Sequence, residues 1–180
     1  LVPGGWLLLA LAVGAVRFAR LGEWSLWIDE VYTLHDAWRI EDLGREAWPR
    51  NPLGYLLVGA WVRAVGGYPD EAVLRFLPAV FGWLSIPLTA WAFSAVLGKR
   101  RAAIAALLVA LSTWHVYWSQ NARFYTLALD LGLLGGGCLL RGLLQPANRT
   151  TGRRAAWILA GLVAGLAAAA AHPSALLLLP

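Results

Sequence analysis

Charge is the scarcest commodity in this sequence. Only 14% of its 180 residues are Asp, Glu, Lys or Arg, while 59% are hydrophobic; an ordinary soluble domain carries about a quarter charged residues. That shortage excludes a conventional water-exposed surface. Cysteine is nearly absent too. Cys138 is alone and sits in an apolar stretch, so no disulfide framework can form within the chain. Lysine is represented by Lys99 only, the other 14 basic residues being Arg. With so much Ala, Leu and Gly, that bias reads as the codon usage of a GC-rich bacterial genome. The net charge of +5 does not indicate a nucleic-acid partner, because no basic stripe with interleaved aromatics is present.

What is present is a series of uncharged runs. A membrane-crossing helix takes about 20 apolar residues, with about 17 as a lower bound. Five runs approach this: 1–16, 76–97, 102–118, 126–140 and 155–171, and the apolar run from 174 reads as the start of a sixth. Pro78 and Pro87 fall inside the second run and are expected to kink it, since each removes a backbone donor. The first run lacks a small-residue cleavage site and reads as an anchor rather than a signal peptide. The chain opens on Leu1 and closes on Pro180 within an apolar run. It is therefore read as the N-terminal part, 1–180, of one longer transmembrane domain. The expected fold is all-α and integral to the membrane, a multi-span helix bundle.

Orientation follows from the basic loops. Gly98-Lys99-Arg100-Arg101 is a short basic turn, and Arg141 to Arg154 holds four Arg and no acid. The positive-inside rule places both in the cytoplasm. The long loop 17–75, residues 119–125 and His172 then lie on the non-cytoplasmic side. Nine of the ten acidic residues fall in that loop. The sequon at Asn148 falls on the inner side and carries no meaning there.

The loop is patterned for helices. Trp27, Val31, Leu34 and Trp38 share one helical face, with Asp29 and Asp36 opposite. Asn51-Pro52 reads as an N-cap followed by proline at the first helical position, and Gly66-Gly67 ends that helix. Asp70 is placed to cap the next. Two amphipathic helices on the outer interface, rich in tryptophan, would roof the bundle.

Three stretches carry candidate chemistry. Asp29 and Glu30 follow directly on Trp24-Ser25-Leu26-Trp27-Ile28. A partly desolvated carboxylate at a membrane surface makes a competent general base, though Asp29 would equally serve as a helix cap. Arg123, within Ser119-Gln120-Asn121-Ala122-Arg123-Phe124-Tyr125, suits bidentate phosphate recognition, or the snorkelling of an interfacial arginine. Asp130 lies inside the fourth run. An intramembrane acid is a functional candidate by default, and pairing with Arg123 seven residues earlier is its structural alternative. His115 and His172 read as interfacial histidines. Glu30, His35, Asp36 and His172 are the residues from which a metal site would be drawn; their spacing does not require one.

These stretches, in this order, resemble the polytopic C-type (GT-C) glycosyltransferases, the family of the dolichyl-phosphate-mannose protein mannosyltransferases and bacterial aminoarabinose transferases. Ser25-Leu26-Trp27-Ile28-Asp29-Glu30 is similar to the family's "sLW-x-DE" signature, and Asn51-Pro52-Leu53-Gly54-Tyr55 to "hPPlyy". Leu74-Arg75-Phe76-Leu77-Pro78 is similar to "lRlPsalfg", and Ser119 to Tyr125 to "sQ-x-aR-x-Y". Asn51 replaces the first proline of the family pattern, and Asn121 stands where an acid is frequent.

The resemblance implies a glycosyltransferase of the bacterial inner membrane with its active site on the periplasmic side. The donor would be a polyprenyl-phosphate sugar and the acceptor a lipid, glycan or protein. Transfer would proceed with inversion. Asp29 would be the catalytic base, with Glu30 beside it. Arg123 would stabilise the departing phosphate, with Arg75 and His172 as further candidates; Tyr125, Asn51 and Trp27 complete the expected substrate contacts. A divalent metal is neither required nor excluded. Two other readings compete: a transporter or lipid flippase, and a non-catalytic membrane scaffold.

Overall fold

The computed structural model describes residues 3–39, 51–144 and 151–178. The sequon at Asn148 lies outside them. Among the described residues the fold is entirely helical. Helix α1 (Pro3–Gly14) runs into a 3-10 turn, Ala15–Phe18. Two loop helices follow, α2 (Ile28–Trp38) and α3 (Pro52–Ala64). Then come α4 (Glu71–Leu111), α5 (Thr113–Ser119), α6 (Tyr125–Leu143) and α7 (Thr151–Ala171), closed by a 3-10 turn at Pro173–Leu178.

Helix α4 is two antiparallel arms. Gly98 has φ 76° and ψ 161°, and it is the one interior position off the helical region. Glycine adopts that positive φ without the steric cost any other residue would carry. Both arms meet α1, with Ile86 of the first arm and Ala106 and Ala110 of the second packed in one cluster with Ala10. The basic turn at Gly98 therefore marks one end of the bundle. The helical backbone continues through Pro78 and Pro87. The expected third span is divided: the second arm stops at Leu111, and Ser112 (φ −66°, ψ 111°) accepts from the His115 N–H to start α5.

Helices α6 and α7 approach backbone to backbone. Gly135 faces the main chain of Gly161 and Gly165, and a Cβ there would crowd both. Close approach through small residues is how helices pack inside lipid, where exclusion of water gives no help. Among the described residues three helices, α4, α6 and α7, are long and apolar enough to cross a membrane; Pro3–Phe18 is a shorter apolar segment. Their outward faces are apolar as well. Leu159, Leu162, Val163 and Leu166 form an exposed stripe at i, i+3, i+4 and i+7 along α7. Such a stripe belongs against lipid.

The loop helices cover the end opposite Gly98. Helix α3 stops where expected, with Gly66 and Gly67 both at positive φ. Asp70 caps α4 through a bond from the Val73 N–H at 2.7 Å. The apolar face expected of α2 is only partly buried. The buried residues of the helix are Glu30, Thr33, Leu34 and Ala37, whereas Val31 and Trp38 of that apolar face are 45% and 47% exposed. The cause is Glu30, whose carboxylate is drawn inward by Arg75.

Candidate active site

The two adjacent carboxylates of α2 have opposite fates. Glu30 is fully buried. Its carboxylate takes two bonds from Arg75, Nε at 2.8 Å and Nη2 at 2.6 Å. It also accepts from the Ala122 N–H at 2.7 Å and, reaching back across the first turn, from the Trp27 N–H at 3.2 Å. Glu30 rather than Asp29 thus serves the start of α2. Arg75 spends its other donors on the carbonyls of Leu21, Trp24 and Ser25. All five guanidinium N–H groups are accounted for. Neither side chain retains a free site for substrate, and the pair ties α2, α4 and the turn before α6 at one point.

Asp29 points elsewhere. It is half-buried, and among the described residues nothing hydrogen-bonds to or pairs with its carboxylate. Its main-chain oxygen accepts from Thr33 Oγ1 at 2.8 Å and from Arg123 Nη1 at 3.1 Å. The same Nη1 also bonds Thr33 Oγ1 at 2.9 Å. Arg123 is thereby fixed to α2 by one nitrogen. Its Nε is buried without a partner, and Nη2 has none among the described residues. Asp29 and Arg123 thus meet through the Asp29 main chain, and each keeps side-chain capacity that the described residues leave unused.

The first turn of α3 closes one flank. A Cβ on Gly54 would run into the Phe124 ring, so glycine lets the helix lie against it, and Tyr55 meets that ring edge-on at 4.9 Å. Asn51 occupies the N-cap position but makes no capping bond. It is buried with its amide oxygen unpartnered. Burial pushes the Tyr55 hydroxyl above its ordinary acidity range, with Asp36 adding to the shift. On the opposite flank His172 lies 4.7 Å from the Tyr125 ring. Burial, and then the Arg123 charge, hold its pKa below the usual histidine value.

The remaining expected site residues are dispersed. Trp27 is half-buried, its indole nitrogen unpartnered, and it lines a cavity of about 550 Å³ with Trp24, Tyr117, Gln120 and Asn121. Asp130 does not pair with Arg123; it takes a bond from Ser85 Oγ at 2.6 Å. Glu30, His35, Asp36 and His172 are not brought together, and among the described residues no three His, Cys, Asp or Glu side chains converge as a metal site.

Arg17 is a site that sequence reasoning missed. It is fully buried and donates to the carbonyls of Gly14, Val109 and Ala110 and to His115 Nδ1 at 2.8 Å. A cation at the carbonyl ends of two helices is favoured by their dipoles. A charged residue directly after an apolar run was the available signal, but it reads equally as a topology marker.

No known family model matches the chain, and no curated protein sequence matches it. Its fold is similar to that of the oligosaccharyltransferase of Archaeoglobus fulgidus, solved as a crystal structure in the apo form, with a TM-score of 0.69 at 18% identity. The likeness covers 96% of this chain and 24% of that one, so the chain spans about a quarter of that enzyme. This chain is therefore all-helical with the fold of that part of the archaeal enzyme.

Proposed function

We propose that the chain carries the catalytic end of a membrane glycosyltransferase that moves a sugar from a polyprenyl-phosphate donor to an acceptor on the non-cytoplasmic side of the inner membrane. The observation that supports this reading is the Arg123 guanidinium, anchored by one nitrogen on the Asp29 carbonyl and the Thr33 hydroxyl with its Nε unpartnered, while the Asp29 carboxylate itself has no partner among the described residues. The acceptor hydroxyl or amine attacks the anomeric carbon while Asp29 takes its proton. A new bond to carbon forms on one face of the sugar as the carbon–oxygen bond to phosphate breaks on the other, which inverts the centre. The electron pair leaves with the phosphate oxygen. A phosphate leaving group needs its growing charge stabilised rather than a proton supplied, and Arg123 offers donors already in place. Tyr125, Asn51 and His172 border this space as substrate contacts.

Glu30 and Arg75 take a different part from the one the resemblance implies. With every donor and acceptor committed, they act as positioning residues that hold Asp29 and Arg123 in register. The transporter reading loses support from the placement of Asp130, whose bond to Ser85 gives that buried acid a structural partner.

The test uses the full-length parent protein in bacterial membranes. Transfer of radiolabelled sugar from a panel of polyprenyl-phosphate donors is followed for wild type and Asp29→Asn. Loss of transfer in the inserted variant, by about a hundredfold or more for a missing general base, supports the reading. Equal transfer in both removes Asp29 from the mechanism.

A further inference from the structure

Five aromatic side chains stand in unbroken contact at the site end of the bundle. Trp114 meets Trp118 at 5.6 Å between ring centroids, Tyr117 meets Trp118 at 5.1 Å, Trp118 meets Tyr125 at 4.4 Å, and Tyr125 meets His172 at 4.7 Å. The run starts in the open, with Trp114 70% and Tyr117 51% exposed. It continues through half-buried Trp118 and Tyr125 to half-buried His172. Tyr125 lies two residues beyond Arg123, on the first turn of α6.

Aromatic residues gather at membrane interfaces without any ligand, each with its ring at headgroup depth. Such a belt does not require its rings to touch in series, nor to pass from exposed to half-buried positions. This run does both. It is set up by the break at Ser112, which ends the second arm of α4 and starts α5, the helix that carries Trp114, Tyr117 and Trp118. Its open end is apolar. Toward its other end Tyr125 follows Arg123 by two residues, and that guanidinium has a buried Nε without a partner. The ligand complementary to both ends is an amphiphile with an anionic head and a long apolar tail.

We propose that this aromatic run is the track on which the isoprenoid chain of the donor lies, leading from the bilayer to the phosphate position at Arg123. The inference rests on the donor reading above and assigns it residues. The first isoprene units pack their methyl branches and double bonds against the Tyr125 and Trp118 rings. Later units leave over Tyr117 and Trp114 into lipid.

The experiment reads binding without turnover. The full-length parent protein is reconstituted into vesicles of phosphatidylethanolamine and phosphatidylglycerol. It is then irradiated with a polyprenyl phosphate carrying a diazirine in its second isoprene unit. Adducts are expected in 114–125 and to be displaced by unlabelled polyprenyl phosphate. The double variant Trp114→Leu with Tyr117→Leu, at exposed positions, should lower adduct yield about three- to tenfold, the scale of aromatic contacts. Adducts confined to other helices, an absence of labelling, or equal displacement by added phosphatidylglycerol would overturn the track and leave an ordinary interfacial belt. Wild-type mapping does not depend on the variant folding. Labelling on the track without sugar transfer would keep the track and remove the transferase reading, whereas transfer with labelling elsewhere would remove the track alone.

Discussion

Two arginines grip the same short helix, and they are used in opposite ways. Arg75 meets Glu30 in the interior and gives all five donors to protein acceptors. Arg123 meets the main chain of Asp29 through a single nitrogen and keeps the rest. The two carboxylates, neighbours in sequence, divide in the same way. A buried ion pair retains its charges only when geometry and further hydrogen bonds compensate their lost hydration; the Glu30–Arg75 pair meets that condition. A carboxylate and a guanidinium left half-dressed gain nothing for the fold by staying so. Their unspent capacity is available to a ligand. The difference teaches that adjacency and charge do not identify a reactive group here, whereas its unsatisfied valence does.

The strongest way to break this comparison is at the spent pair. Glu30→Ala or Arg75→Ala strands a buried charge and should cost about 3–5 kcal/mol, lowering the yield of inserted, detergent-stable protein. Arg75→Lys should rescue little of it, because a single ammonium cannot reproduce five directed donors. Thermal unfolding in detergent reads the result. At the unspent arginine the effect should fall on chemistry. Arg123→Ala should reduce sugar transfer about a hundredfold or more, as for loss of one preorganised charge-stabilising donor group, with a far smaller change in unfolding temperature.

The smallest effect sharpens the comparison most finely. The charge of Arg123 helps to depress the pKa of His172. Arg123→Ala should therefore move the His172 titration upward in NMR of histidine-labelled protein, though not to the ordinary value of about 6.5, because burial is the larger cause. A histidine depressed in the folded state takes its proton later than in the unfolded chain. Stability should thus decline as pH falls below about 6.5, and His172→Gln should lack that share of the decline.

Much of the architecture is legible in the sequence because it is local. The all-helical membrane fold follows from uncharged runs, the Gly98 turn from its glycine and three bases, the end of α3 from Gly66-Gly67, and the start of α4 from Asp70. The site was legible only in part. Asp29 and Arg123 could be singled out, but the sequence does not show that Arg123 is anchored on the Asp29 main chain. Which side of α2 packs inward was not legible, because the rule that apolar residues face inward weakens where the surroundings include lipid. Val31 and Trp38 are left outward, and the inward position goes to a glutamate whose partner lies 45 residues away. Arg17 was missed, and the partner of Asp130 was misread, for the same reason. Each is neutralised or hydrogen-bonded by groups distant in sequence, Ala110 and His115 for the first and Ser85 for the second, and pairings of that range leave no local pattern.

The account rests on a separation of roles between Asp29 and Glu30, and one paired measurement tests it. Asp29→Asn and Glu30→Gln are made in the full-length protein, and each is followed by radiolabelled sugar transfer and by thermal unfolding in the same membranes. The account predicts that Asp29→Asn unfolds like wild type and does not transfer, while Glu30→Gln unfolds at a clearly lower temperature. Wild-type transfer by Asp29→Asn, or a Glu30→Gln protein that is as stable as wild type and inactive, would contradict it.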